Sequence, residues 1–137
     1  MNEPQTISEM LDKARTIAVI GLSDKPARAS FGVSRYMQQH GYRIIPVTPK
    51  GSEILGETCY STLDDACEAV GNIDLVNVFR APEFVPGIVH DVIRLKIPYL
   101  WLQQGVIHDE AADLAEAAGI KVVMDRCLYK EHAQLRG

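Results

Sequence analysis

Five short apolar runs decide what this chain can fold into. They are Ile17 to Ile20, Tyr42 to Val47, Ile73 to Phe79, Pro98 to Leu102 and Ile120 to Met124. Within each, apolar residues follow one another instead of alternating with polar ones. A strand open to water on one face alternates, so these strands need cover on both faces. The intervening segments supply that cover. Val33, Tyr36, Met37 and His40 mark one side of a helix, with Gly41 as its C-cap. Ser61-Thr-Leu-Asp64 opens a short helix. Glu83 to about Lys96 forms another, with Pro86 tolerated in its first turn. Asp109 is expected to cap a helix carrying Ala111, Leu114, Ala115 and Ala118, ended by Gly119. At the N-terminus, Thr6-Ile-Ser-Glu9 reads as a capping box ahead of Met10, Leu11 and Ala14. A last helix starts near Cys127, and Lys50 to Tyr60 reads as loop with a short extended piece.

Strands alternating with helices predict an α/β fold with a parallel sheet and right-handed crossovers. The expectation is one Rossmann-like domain: a five-stranded parallel sheet of order 3-2-1-4-5 with helices on both faces. The 137 residues suit a single domain, 1–137, with the first helix in 1–15 and the last in 127–137. No repeat or linker interrupts it.

Composition narrows the function classes. A net charge of −4 gives no general attraction for nucleic acid, so an anion site must be local. No apolar run approaches the roughly 18 residues of a membrane span, and no signal peptide is read at the N-terminus. The cysteines, Cys59, Cys67 and Cys127, form neither a disulfide framework nor a metal knuckle, so a reducing cytoplasm is the expected home.

In a sheet of this kind ligands bind beyond the carboxyl ends of the strands, here near the switch point expected between the first and fourth. Cations cluster at those ends: Lys25 and Arg28 after the first strand, Lys50 after the second, Arg80 after the third, Arg126 and Lys130 after the fifth. In an acidic chain that clustering suggests a polyanionic ligand. The dinucleotide fingerprint G-x-G-x-x-G is absent, because Gly21 is followed by Leu-Ser-Asp-Lys-Pro and the next glycine is Gly32. The second strand ends in Val47-Thr48-Pro49-Lys50, with no acid for a ribose diol. NAD is therefore disfavoured and NADP stays open. No Walker loop occurs.

The segments IAVIGLSDKPARASFGV, IIPVTPKG, ILGETCYSTL, DLVNVFRAPEFVP, LWLQQGV and VVMDRCLYKEH, taken in order, resemble the CoA-binding domain family. These are stand-alone proteins similar to the N-terminal domain of the succinyl-CoA synthetase alpha subunit. The resemblance spans about Thr16 to His132. It implies coenzyme A as ligand. Gly21, Ser23, Lys25, Arg28 and Ser30 would hold the pyrophosphate. Thr48, Pro49 and Lys50 would lie along the adenosine part, with Lys50 on the 3′-phosphate. Phe79, Arg80, Ala81 and Pro82 would line the adenine pocket, with Gln103 and Gly105 near the pantetheine arm. The ligase chemistry is not carried over, because the synthetase's phosphorylated histidine belongs to a further domain and the histidines here do not make that site.

Cys127 follows the fifth strand beside Arg126 and Lys130, cations that favour a thiolate, so it could pair with the CoA thiol. No acid–base pair, metal cluster or activated nucleophile stands out, and no residue is given a catalytic or metal-binding role. The leading expectation is a non-catalytic carrier or sensor of CoA or acyl-CoA. The alternatives are a small NADP-dependent or thiol-redox enzyme, or a ligand-free scaffold acting through a partner, which Asp24 in the phosphate loop would favour. An exposed sheet edge or the first helix could serve a homodimer.

Overall fold

The computed structural model describes residues 1–49 and 51–136. Five parallel strands form the central sheet: β1 (Thr16–Ile20), β2 (Arg43–Val47), β5 (Leu75–Val78), β6 (Tyr99–Leu102) and β7 (Lys121–Met124). A two-stranded ribbon, β3 (Glu53–Ile54) and β4 (Glu57–Thr58), occupies the expected loop. The helices are α1 (Pro4–Lys13), α2 (Ala29–Gln39), α3 (Leu63–Val70), α4 (Val85–Arg94), α5 (Asp109–Ala117) and α6 (Leu128–Arg136), with a 3-10 turn at Pro82–Phe84. The fold is Rossmann-like, as expected.

The continuous apolar runs are explained by two cores. On one face Ala18, Ile20, Ile45, Val76, Leu100 and Val122 meet α3, α4 and α5 through Ala66, Val89 and Ala112. On the other, Ile17, Val19, Ile44, Leu75, Trp101 and Val123 meet α1, α2 and α6 through Met10, Met37 and Leu128. Trp101 is fully buried, and its indole N–H donates to the Arg126 carbonyl at 2.9 Å.

The strand order corrects the expectation. The sheet runs β2-β1-β5-β6-β7, so the five long strands lie 2-1-3-4-5 in chain order, not 3-2-1-4-5. Pro46 supplies the reason. The N–H and C=O of a strand residue point to the same side. The Pro46 carbonyl accepts from the Tyr60 N–H at 3.0 Å, on the side away from β1, and proline has no N–H to offer there. A third strand could not complete a ladder along that side, which makes β2 an edge strand. Tyr60, in a parallel bridge with Val47, takes the place instead. β5 then settles beside β1, pinned at its start by Asp74 Oδ2, which accepts from the N–H groups of Arg15 and Thr16, both at 2.9 Å.

Two caps also differ. α1 starts at Pro4 with Glu3 as N-cap and no side-chain cap, so Thr6 and Glu9 lie within the helix. Proline's fixed φ and missing N–H suit the first helical position. α5 is capped by His108, whose Nδ1 accepts from the Ala111 N–H at 3.1 Å, and Asp109 is its first residue.

Candidate functional site

The chain leaves β1 for β2 on one side and returns to β5 on the other, so the switch point lies between β1 and β5. The expected position, beside the fourth strand, moves by one place because β5 fills it. A cleft of about 550 Å³ opens there. Its walls bring together Gly21, Ser23, Lys25, Arg28, Ser30, Thr48 and Phe79 of the expected residues. Leu22, Asp24 and Ala29 complete the lining.

Gly21 lets the two strand ends approach. Its φ is +88°, and a Cβ there would lie 2.5 Å from the Phe79 carbonyl oxygen. Its N–H donates to the Val47 carbonyl at 3.0 Å, so one residue ties the ends of β1, β2 and β5. The loop that follows is braced internally. Ser30, nearly buried, accepts the Ser23 N–H at 2.9 Å, and the Ser23 hydroxyl accepts the Lys25 N–H at 3.1 Å. Ser30 therefore holds the loop instead of capping α2, whose N-cap is Arg28. Among the described residues, the first-turn N–H groups of Ala29 and Ser30 have no acceptor. They supply the donors and the positive dipole end that suit an anion.

The charges agree. Arg43, Arg94, Lys121, Arg126 and Arg136 each pair with a carboxylate. Lys25 and Arg28 have no such partner among the described residues, although Asp24 lies in the same loop. The Asp24 charge instead joins burial, the larger cause, and Glu53 in pushing the Cys59 thiol up from its ordinary value.

The other candidates fall elsewhere. Pro49 follows Thr48 outside the cleft walls, and Lys50 lies outside the described residues. Ala81 and Pro82 open the 3-10 turn, and the Arg80 guanidinium lies over the Phe84 ring. Gln103 is buried, and its Oε1 accepts the Leu128 N–H at 2.8 Å, so it caps α6. The Gly105 N–H donates to Asp125 Oδ1 at 2.7 Å. Cys127 is half-buried against the α2–α6 core, and Arg126 beside it pairs with Glu131. Sequence reasoning did not pick out Leu22 and Ala29 as cleft walls; both lie between residues that it had assigned.

The model of the CoA binding domain matches residues 15–133. This chain belongs to the CoA binding domain family. YneT of Bacillus subtilis, an uncharacterized protein, is 43% identical to this family member over 127 residues, covering 93% of this chain and 92% of YneT. A solved structure from Thermus thermophilus superposes with a TM-score of 0.88 at 37% identity, covering 97% of this domain and 98% of that chain. An ADP-forming acetate–CoA ligase of Archaeoglobus fulgidus is 25% identical over an alignment of 130 residues that covers 88% of this chain and 18% of the ligase. The CoA binding domain thus corresponds to a small part of that larger enzyme.

Proposed function

We propose that this domain binds CoA or an acyl-CoA without catalysis, as a carrier or sensor, with the pyrophosphate in the β1–β5 cleft. One observation carries the reading: in a chain of the CoA binding domain family, two cations without carboxylate partners and the acceptor-free first turn of α2 line one cleft. Charge-assisted bonds from Lys25 and Arg28 suit a diphosphate. A non-catalytic role is supported by the chemistry of the walls: the serine hydroxyls brace the loop, the described lining includes no histidine or cysteine, and the nearby Cys59 thiol is pushed up from its ordinary value. The cytoplasm fits three free thiols. On the sequence reading Lys50 takes the 3′-phosphate.

Calorimetric titration of the reduced protein with CoA, dephospho-CoA and NADP tests this. The expected result is binding of CoA, weakened about tenfold or more by Lys25→Ala or Arg28→Ala. Dephospho-CoA and Lys50→Ala should lose the same increment. Heat with NADP alone would favour a reductase, and no heat with any of the three would favour a scaffold.

A further inference from the structure

Three buried side-chain atoms have no hydrogen-bonding partner in the protein among the described residues: Asn77 Oδ1, Asn77 Nδ2 and Ser34 Oγ. Both residues are only 1% exposed. A buried amide without partners is costly, and buried polar groups in folded proteins are almost always satisfied. Something must satisfy these, and their placement says what.

Both residues face the same layer. On β5, Leu75 belongs to the core beneath α1, α2 and α6, while Val76 and Val78 belong to the other. Alternation along the strand puts Asn77 with Leu75. Its partners in register, Val19 and Trp101, lie in that layer too. Ser34 enters it from α2, next to Val33 and one turn from Met37.

The depths agree as well. Phe79 and Ser30 both line the cleft. Asn77 lies two strand residues below Phe79, about 6.6 Å. Ser34 lies four helical residues below Ser30, about 6 Å. The amide and the hydroxyl thus stand at one level under the cleft floor. Serine at both buried positions, 30 and 34, leaves space that larger apolar side chains would fill.

Ser30 has a need of its own. Its Oγ accepts the Ser23 N–H at 2.9 Å, and its hydroxyl proton has no acceptor among the described residues. One oxygen between Ser30 and Ser34 can reach both, since two hydrogen bonds of about 2.8 Å span the separation. The groups on offer are neutral donors and acceptors, which suits water and not an ion. Internal water typically has about three such partners.

We propose that buried water occupies the space between Asn77 and Ser34 and accepts the Ser30 hydroxyl proton, which fixes a Ser30 lone pair on the Ser23 amide. Asn77 is then a positioning residue for the anion loop. It acts through water and Ser30 and touches no ligand. The inference does not need the CoA reading, and its test uses the ligand-free protein.

A high-resolution crystal structure should show an ordered solvent oxygen within about 3.2 Å of an Asn77 amide atom and of Ser30 or Ser34 Oγ. Asn77 bonded directly to a protein group, with no solvent oxygen beside it, would overturn the proposal. Amide hydrogen exchange reads the positioning role. Asn77→Leu and Ser34→Val each fill the space with apolar atoms, one from the sheet and one from the helix. Both should speed exchange of the Ser23 N–H by about tenfold relative to the amides of β6, whose exchange follows global stability. An unchanged Ser23 amide, or an equal rise at Ser23 and in β6, would reject that role. If Asn77→Leu does not fold, Ser34→Val and the wild-type structure carry the test.

Discussion

The carbonyl of Phe79 lies 2.5 Å from the point where a side-chain carbon of Gly21 would sit. The contact is backbone against backbone, so neither side can swing away. The φ of +88° adds a conformation that other residues adopt at a cost.

Gly21→Ala should therefore destabilise the fold by about 2–4 kcal/mol, through strain and separation of β1 from β5. Urea unfolding measures it. Gly32→Ala is the control, because nothing lies within 4 Å of its Cβ position. At that helical site alanine should be neutral or slightly stabilising. Equal behaviour of the two variants would show that the close approach does not matter.

Gln103 is the second case. Its Oε1 satisfies the first amide of α6, and the residue is only 4% exposed. Gln103→Leu leaves that amide buried without a partner, a loss of about 1–3 kcal/mol. CoA affinity measured well below the unfolding midpoint should stay within about twofold if capping is its whole role. A large affinity loss at unchanged stability would return Gln103 to the pantetheine arm.

A pH effect should come from His132. It is buried, shares a hydrogen bond with the Tyr36 hydroxyl at 2.9 Å, and packs against His40 and Tyr42. Burial first, then His40 and Arg136, hold its imidazole below the usual value of 6.5. The unfolded state thus takes up the proton before the folded one. This contribution is complete above the unfolded value and is lost as pH falls from about 6.5 through the lowered folded value. The slope for one proton is at most about 1.4 kcal/mol per pH unit. Unfolding followed from pH 8 to 5 should show this fall, reduced in His132→Gln. A parallel pair of curves would place the effect on other groups.

Cys127 immediately precedes α6, next to the last strand, and β7 lies three strands from β1, about 14 Å at ordinary spacing. An extended pantetheine arm can cover that span. With CoA disulfide, the Cys127 thiolate would attack one sulfur, form the mixed disulfide and release CoA thiolate. Mass spectrometry should show the gain of one CoA, removed by reductant and absent in Cys127→Ser. A wild type of unchanged mass, or a gain kept in the serine variant, would reject the pairing.

The sequence by itself determined the elements and their layering. Continuous apolar runs demand cover on both faces, and that demand is local enough to read along the chain. The first loop was legible for the same reason: Gly21, Ser23, Lys25, Arg28 and Ser30 are close in sequence, and they line one cleft. The signal for strand order was also there, in Pro46, although its meaning depends on which neighbour its missing N–H would face. Only the tertiary structure decided that β5 sits beside β1, that Gln103 turns inward to cap α6, and that the Arg80 guanidinium lies over the Phe84 ring. These depend on the direction of a side chain and on partners brought near by the sheet. A polar residue at a strand end reads the same along the chain whether it faces a ligand or the start of another helix.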